Sequence, residues 1–97
     1  MTIVQNIFET SDAIQNGRTR QDVLNYTMTE IGELMEEFII STGKSYKQPG
    51  ADGIIGEAVD TIICLIDLIR IEDPTLREED LQEIFCAKLA KWKSQHA

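Results

Sequence analysis

Two groups of carboxylates in the sequence each repeat an acidic residue at a three-residue spacing. Glu30 and Glu33 form the first pair, and Glu57 and Asp60 form the second pair after a glycine-rich stretch. Residues three positions apart share one face of a helix, so two antiparallel helices could bring both pairs together. Carboxylates without histidine or cysteine partners are hard oxygen ligands, which suit magnesium, or manganese, better than zinc or copper. The spacing therefore predicts a metal site made of these two pairs.

The segment that carries the first pair contains two further acids, Glu36 and Glu37. At about 100° per residue, Glu33 and Glu37 fall within about 60° of Glu30, whereas Glu36 points about 120° away. Glu37 is therefore a reserve member of the acidic face, and Glu36 is expected to face solvent. A solvated acidic surface is the competing interpretation for the first pair. The second pair argues against it, because an unpaired acid on an apolar helix would be costly to bury.

Apolar residues at helical spacing predict an all-α, four-helix bundle-like fold in one domain spanning residues 1–97. The helices are expected at about residues 2–16, 20–42, 54–72 and 76–94, with a glycine-rich loop at 43–53 joining the second and third antiparallel. Capping boxes are expected from Thr19 with Asp22 and from Thr75 with Glu78.

The third predicted helix is apolar on almost all sides, since ten of the fourteen residues from Ala58 to Ile71 are apolar. Such a helix must be covered on more than one side, and a chain of 97 residues has little else with which to cover it. We therefore expect a homodimer, or a dimer of dimers, whose interface includes this helix. On the same helix, Asp67 is expected to form a salt bridge with Arg70.

Composition limits the possible partners and the location. Seventeen acidic and nine basic residues give a net charge of -8, which argues against a nucleic-acid surface and against an anionic membrane surface. The longest purely apolar run, Ile62 to Ile66, is too short to cross a bilayer. Cys64 and Cys86 lie in apolar helical patterns without a CxxC spacing, so we expect two buried, reduced thiols and a cytoplasmic protein.

Other chemistries have weaker support. His96 is the only histidine and lies next to the last residue, which excludes the Glu-x-x-His pairs of di-iron bundles. Gly43-Lys44-Ser45 ends like a phosphate-binding loop, but it lacks the first glycine and a preceding strand. Lys88 stands in the apolar stripe of the fourth helix, an unusual position unless its ammonium group snorkels to solvent or meets acidic groups.

The pattern Glu30-x-Gly-Glu33-Leu34, followed by Gly56-Glu57-x-x-Asp60 and a long apolar continuation, resembles the MazG-like members of the all-α nucleoside triphosphate pyrophosphatases. The resemblance spans roughly residues 20–92. The family pattern is Glu-Glu-x-x-Glu followed by Glu-x-x-Asp, and Thr29 stands where the family usually has its first glutamate.

The resemblance implies a helical bundle that dimerises or forms a dimer of dimers and binds magnesium through Glu30, Glu33, Glu57 and Asp60. It implies hydrolysis of nucleoside triphosphates to monophosphate and pyrophosphate. Lys88 and Lys91 match the family's phosphate-holding basic residues. Lys44 and Lys47 in the loop are further substrate-binding candidates.

We therefore expect a magnesium-dependent nucleoside triphosphate pyrophosphohydrolase that acts on deoxynucleoside triphosphates, with catalytic roles for Glu30, Glu33, Glu37 and Lys88. The base is expected in an apolar slot between the first and second helices, with Phe8, Phe38 or Trp92 as lining candidates. Two alternatives stay open. One is a non-catalytic oligomeric relative that binds metal or nucleotide, and the other is an acidic helical adaptor.

Overall fold

The computed structural model describes residues 2–96, which form four α-helices and no β-strand in that range. The helices are α1 (Ile3–Ala13), α2 (Arg20–Ser41), α3 (Gly53–Glu72) and α4 (Glu78–Gln95). The all-α class predicted from the apolar periodicity is confirmed, and every helix is close to its expected position. Within residues 2–96, none of these helices combines the length and the apolarity that a membrane span requires.

The first residues of α2 form the capping hydrogen bonds that the sequence predicts. The Thr19 side chain accepts a hydrogen bond from the Asp22 backbone N–H, and the Asp22 carboxylate accepts one from the Thr19 N–H. This reciprocal pair is the capping box predicted for α2.

The capping box predicted for α4 is wrong in register. Thr75 donates its hydroxyl to Asp73 at 2.6 Å, so Thr75 belongs to the turn that leaves α3. The N-cap of α4 is Arg77, whose backbone N–H donates to the carboxylate of Asp80. The Asp-Pro break after α3 occupies two residues more than the sequence pattern indicated, and this shifts the start of α4.

Helices α2 and α3 pack antiparallel over most of their length. Arg20 at the start of α2 forms a salt bridge with Glu72 at the end of α3, with a nitrogen to oxygen distance of 3.2 Å. At the other end, carboxylate oxygens of Glu30 and Glu33 come close to one from Glu57 in α3. The connection through residues 42–52 therefore reverses the chain direction, as expected, and places the two acidic pairs side by side.

Helix α1 docks against α3 and contributes half of a small core. Phe8 is 1% exposed and packs with Ile7, Ile66 and the first buried residue of α4, Leu81. The Arg70 guanidinium lies 4.9 Å from the centre of the Phe8 ring and also pairs with Asp12 of α1 at 2.9 Å. A cation over an aromatic face adds attraction to the packing of these two helices.

Helix α4 leaves the rest of the molecule after its first turn. Every described residue from 82 to 96 is exposed, including the apolar side chains of Ile84, Phe85, Leu89 and Trp92. The stripe that was expected to close a four-helix bundle is therefore uncovered within the described part of the subunit. Cys86 lies on this helix and is exposed, which corrects the expectation that both thiols are buried; Cys64 is buried.

Candidate metal centre

Five carboxylates from α2, α3 and the residue before α3 converge where the two helices run side by side. Glu30, Glu33 and Glu57 each place one oxygen within 4.8 Å of the others, and so do Asp52, Glu57 and Asp60. We call these five residues the acidic cluster. Glu57 belongs to both trios, so the two trios form one continuous site rather than two separate sites.

The helical spacing of the acids explains how the cluster forms. Glu30 and Glu33 lie on the face of α2 that meets α3, and Glu57 and Asp60 lie on the first turns of α3. Asp52 joins them because Gly56 has no side chain. A β-carbon at position 56 would lie 2.5 Å from the β-carbon of Asp52, closer than two carbon atoms can approach.

Two oxygens of the cluster are buried without any hydrogen-bond partner in the described residues, namely Glu30 Oε2 and Glu57 Oε2. The Glu30 residue is only 6% exposed. A buried carboxylate oxygen without a partner costs free energy, because the water that solvated it in the unfolded chain has been lost. A cation between the trios would give both oxygens a partner. The all-oxygen donor set fits a hard divalent ion such as magnesium or manganese.

Electrostatic crowding is visible at Glu57. Burial, together with repulsion from Glu33, Asp60, Glu30 and Asp52, raises the pKa of Glu57 above that of an ordinary glutamate. Folding therefore shifts the balance of Glu57 toward its neutral form, relative to the unfolded chain, when no cation is bound. Bound positive charge would reverse this preference, since it attracts the ionised form.

Glu36 and Glu37 hold the α2–α3 loop instead of joining the cluster. Lys47 forms a salt bridge with Glu36 at 2.7 Å, and the Gly50 N–H donates to Glu37 Oε1 at 2.7 Å. A β-carbon at position 50 would come within 2.6 Å of that same oxygen, so glycine permits this approach. The structure thus places Glu37 beside the loop backbone, one turn beyond Glu33.

The four predicted substrate lysines lie outside the acidic cluster. Lys47 is paired with Glu36, and Lys44 is an exposed residue of the same loop. Lys88 and Lys91 are exposed on the projecting part of α4, and neither takes part in a salt bridge among residues 2–96. The described subunit therefore brings no lysine ammonium into salt-bridge contact with the five acids.

Thr29 adds no carboxylate to the cluster. Its hydroxyl donates to the Asn25 carbonyl one turn back, at 3.2 Å, and the residue is exposed. At position 29, where the MazG-like pattern usually has its first glutamate, this chain therefore has a hydroxyl whose hydrogen bond is made within α2.

Asp67 forms a salt bridge, but the predicted partner, Arg70, is wrong. Its carboxylate accepts hydrogen bonds from Arg18 at 2.7 Å and from the Ser11 hydroxyl at 2.6 Å. Arg70, one turn away on α3, instead pairs with Asp12. Helix α1 supplies Ser11 and the connection after it supplies Arg18, whereas sequence spacing alone favoured the nearer residue.

Asp52 is the member of the cluster that sequence reasoning missed. It reads as part of a turn-forming stretch, because it stands between Ala51 and Gly53. Its backbone is already in the helical region and its side chain makes no capping hydrogen bond to α3, which leaves the carboxylate available. The sequence feature that could have identified Asp52 is an aspartate at the start of a helix, shortly before Gly56 and Glu57.

The sequence matches no protein-family model, no curated protein and no solved structure.

Proposed function

We propose that this protein is a magnesium-dependent nucleoside triphosphate pyrophosphohydrolase, which hydrolyses a nucleoside triphosphate to the monophosphate and pyrophosphate. The observation that supports it most is the acidic cluster, whose buried Glu30 and Glu57 oxygens lack partners among residues 2–96. Hard divalent cations are the usual means of binding polyphosphates next to carboxylates. The proposal also rests on the resemblance of the two acidic motifs to the MazG-like family.

In this proposal, Glu30, Glu33, Glu57 and Asp60 hold the cation or cations, and Asp52 adds a fifth carboxylate. When bound, magnesium would neutralise polyphosphate charge and make a water molecule more acidic. Glu30 is fixed by burial and serves as a rigid ligand. Glu33 is the exposed member of its trio, so it would hold the cation at the solvent side, where a carboxylate that is not a ligand would accept the proton from water.

We further propose that the working form is a homodimer or homotetramer. The subunit exposes 7219 Å², about 1,600 Å² more than the roughly 5,600 Å² expected for a folded monomer of 11.0 kDa. An excess of that size per subunit is typical of the large apolar interfaces of obligate dimers. The uncovered apolar residues of α3 and α4 supply the surface, among them Ile62, Leu65, Phe85 and Leu89.

Assembly would also give the lysines of α4 a position from which they could bind substrate. Lys88 and Lys91 lie on the same projecting helix as the uncovered apolar stripe, so covering that stripe with a second subunit brings their charges to a subunit boundary. There they would neutralise the substrate polyphosphate, which a protein of net charge -8 otherwise repels. Lys44 is a further candidate from the loop.

A second candidate function is a non-catalytic oligomeric protein that binds metal or nucleotide. The observation that favours it is Thr29, which adds no carboxylate to the cluster and whose hydroxyl donates a hydrogen bond within its own helix. This candidate predicts magnesium binding without turnover.

Pyrophosphate release from a panel of natural and modified nucleoside triphosphates, with magnesium or manganese, tests the proposal. Glu33→Gln and Asp60→Asn should reduce release to the level of a no-enzyme control while the helical circular dichroism stays unchanged. Glu36→Gln is the matched control, because Glu36 lies on the same helix but pairs with Lys47, and it should retain activity. Unchanged activity in both cluster variants would overturn the catalytic proposal, and wild-type magnesium binding without turnover would favour the second candidate.

A further inference from the structure

An open cleft of about 650 Å³ between α1, α2 and α3 lies where the sequence predicts an apolar slot. Its lining differs from the predicted one, because Phe8 is closed inside the core and neither Phe38 nor Trp92 lines the cleft. Tyr26 lines this cleft one helical turn before Glu30, so the cleft adjoins one end of the acidic cluster. The α2–α3 loop lies at the other end of the cluster, and its attachment to α2 carries the inference below.

The α2–α3 loop, residues 42–52, is fastened to α2 near the C-terminal end of that helix. The Gly50 N–H donates to Glu37 Oε1 at 2.7 Å, and a hydrogen bond from a backbone N–H to a carboxylate is stronger than one between neutral groups. A β-carbon on residue 50 would lie 2.6 Å from that oxygen, so a larger residue would displace the Glu37 carboxylate. The salt bridge between Lys47 and Glu36 contributes less, because these side chains are 54% and 50% exposed. The bond between Gly50 and Glu37 is therefore the main attachment of the loop.

Asp52 follows the attachment point by two residues and belongs to the acidic cluster. Two residues span at most about 7 Å, so Asp52 stays close to α2 while Gly50 is bonded to it. The Asp52 side chain makes no capping hydrogen bond to the start of α3. One of its carboxylate oxygens lies within 4.8 Å of oxygens of Glu57 and Asp60. The loop attachment, rather than a helix cap, therefore limits where the Asp52 carboxylate can go.

The carboxylates that Asp52 joins include one that is buried without a partner. Glu30 is 6% exposed, and its Oε2 has no hydrogen-bond partner among residues 2–96. Glu57 links the trio of Glu30 to the trio of Asp52. A divalent cation that gives the Glu30 oxygen a partner would thus lie among oxygens that Asp52 can join as long as the loop stays attached.

We propose that Glu37 is a positioning residue, whose hydrogen bond to Gly50 keeps Asp52 in the acidic cluster and thereby raises the affinity of the cluster for a divalent cation. This inference rests on the proposed function and adds to it the residue that controls cation binding. Glu37 acts here as a hydrogen-bond acceptor, and not in the catalytic role that the sequence predicts for it. When the loop detaches, the fraction of molecules with all five acids in place falls, and the apparent affinity for the cation falls with it.

Manganese binding, followed by the electron paramagnetic resonance of the free ion, separates the acceptor of Glu37 from its charge. Glu37→Gln keeps an oxygen that can accept from the Gly50 N–H, so its Kd for manganese should stay within about 2-fold of the wild type. Glu37→Leu has a similar size and no acceptor, and it should raise Kd by about 3- to 10-fold, the effect of losing one hydrogen bond. Equal losses in both variants would overturn the inference, because the charge would then matter and not the bond. An unchanged Kd in Glu37→Leu would overturn it too.

A double-mutant cycle with Asp52 tests whether Glu37 acts through the loop. Asp52→Asn should weaken manganese binding, and adding Glu37→Leu to it should cause no further loss, because two changes that act through one contact are not additive. Gly50→Ala should weaken binding as Glu37→Leu does, since its β-carbon displaces the Glu37 carboxylate. Gln48→Ala is the control, because Gln48 is an exposed residue of the same loop, and it should bind manganese like the wild type. Additive losses in the double variant would overturn the inference.

Hydrogen exchange of the Gly50 amide in metal-free protein tests the attachment without a cation or turnover. This amide should exchange more slowly in the wild type and in Glu37→Gln than in Glu37→Leu, because only the first two offer it an acceptor. The amide of Ile66, in the middle of α3, should exchange equally in all three proteins. Equal exchange of the Gly50 amide in the three proteins would overturn the inference.

The two proposals fail in different ways. Normal pyrophosphate release together with an unchanged Kd for manganese in Glu37→Leu would overturn the role of Glu37 and leave the proposed function intact. Weakened manganese binding in Glu37→Leu, with normal binding in Glu37→Gln, in a protein whose wild type releases no pyrophosphate would support the role of Glu37 and overturn the hydrolase. A wild type that binds no manganese would overturn both.

Discussion

At the scale of single residues, the most informative feature is that Glu57 lies in both carboxylate trios and is half-buried. Burial and then the neighbouring carboxylates raise its pKa, so its ionised form opposes folding when no cation is present. The raised pKa of Glu57 determines how its contribution to stability depends on pH. Protonated Glu57 favours the folded state, and the free energy of unfolding falls as Glu57 ionises, when the pH rises past the ordinary pKa of 4.5. A divalent cation bound at the acidic cluster would turn this cost into a binding interaction.

Glu57→Gln should therefore raise the melting temperature at pH 7 in the presence of EDTA, because the amide removes a charge that repels four others. The same variant should lose the rise in melting temperature that millimolar magnesium gives the wild type, since ligand binding to the folded state is what produces that rise. Differential scanning fluorimetry with and without magnesium measures both effects.

Glu36→Gln again serves as the control, and it should keep the wild-type response to magnesium. A Glu57→Gln protein that melts lower than the wild type in EDTA and still responds to magnesium would contradict a cation site at the acidic cluster.

At the scale of elements, α1 is held to α3 by polar contacts at the edge of a small apolar core. Arg70 makes two hydrogen bonds to Asp12, each 2.9 Å long, and its guanidinium also covers the Phe8 ring. The hydrogen bonds from Arg70 lower the pKa of Asp12 below its usual 3.8. A carboxyl with a lowered pKa contributes stability above its ordinary pKa and loses it as pH falls through the lowered value.

Asp12→Asn should lower the free energy of unfolding at pH 7 by up to about 1 kcal/mol, the upper range for a partly exposed ion pair. The difference from the wild type should shrink as the pH is lowered below about 4 and vanish once Asp12 is protonated in both folded and unfolded chains. Urea unfolding at a series of pH values measures this.

Glu9→Gln is the matched control, because Glu9 lies on α1 one turn earlier and only accepts a hydrogen bond from Gln5. The stability of this control should follow that of the wild type across the series. A constant difference between Asp12→Asn and the wild type down to pH 2 would show that the ion pair does not hold α1.

At the scale of the whole molecule, the subunit exposes more total surface than a chain of this size normally does, and large apolar side chains are part of that surface. Ile62, Ile63 and Leu65 of α3 are all more than 40% exposed, although α3 is the central helix that contacts both α1 and α2. The first turn of α4 joins the core through Leu81, and the remainder extends away. A second subunit that covers both surfaces would resolve this exposure.

Sedimentation should accordingly give a dimer or tetramer for the wild type at micromolar concentration. Ile62→Asp should shift the population toward monomer and lower the melting temperature, because a charge would be placed in the proposed interface. Tyr46→Asp is the comparison variant, since Tyr46 is 94% exposed in the loop and away from the apolar face of α3. A wild-type monomer at these concentrations would disprove the assembly.

Features that depend on the local spacing of residues could be predicted from the sequence, whereas features that depend on packing between helices could not. The α2 capping box and the meeting of Glu30 with Glu57 follow from helical periodicity and one chain reversal. The partner of Asp67 is set by the docking of α1 and of the connection that carries Arg18, and it cannot be read from spacing because it depends on which surfaces touch. The membership of Asp52 depends on the missing side chain of Gly56 four residues later, which is a local signal that was overlooked. The projection of α4, like the partner of Asp67, is a property of packing.

The contacts of Asp67 have a consequence for the order in which the molecule forms and opens. They join α3 to Ser11 and Arg18, positions 56 and 49 residues earlier in the chain, whereas the α2–α3 pair is a hairpin with one short loop. Hairpins close faster than distant contacts, so α1 should dock last in folding and release first in local opening. The cleft of about 650 Å³ between α1, α2 and α3, which needs α1 as a wall, would then open and reform while the acidic cluster between α2 and α3 stays assembled.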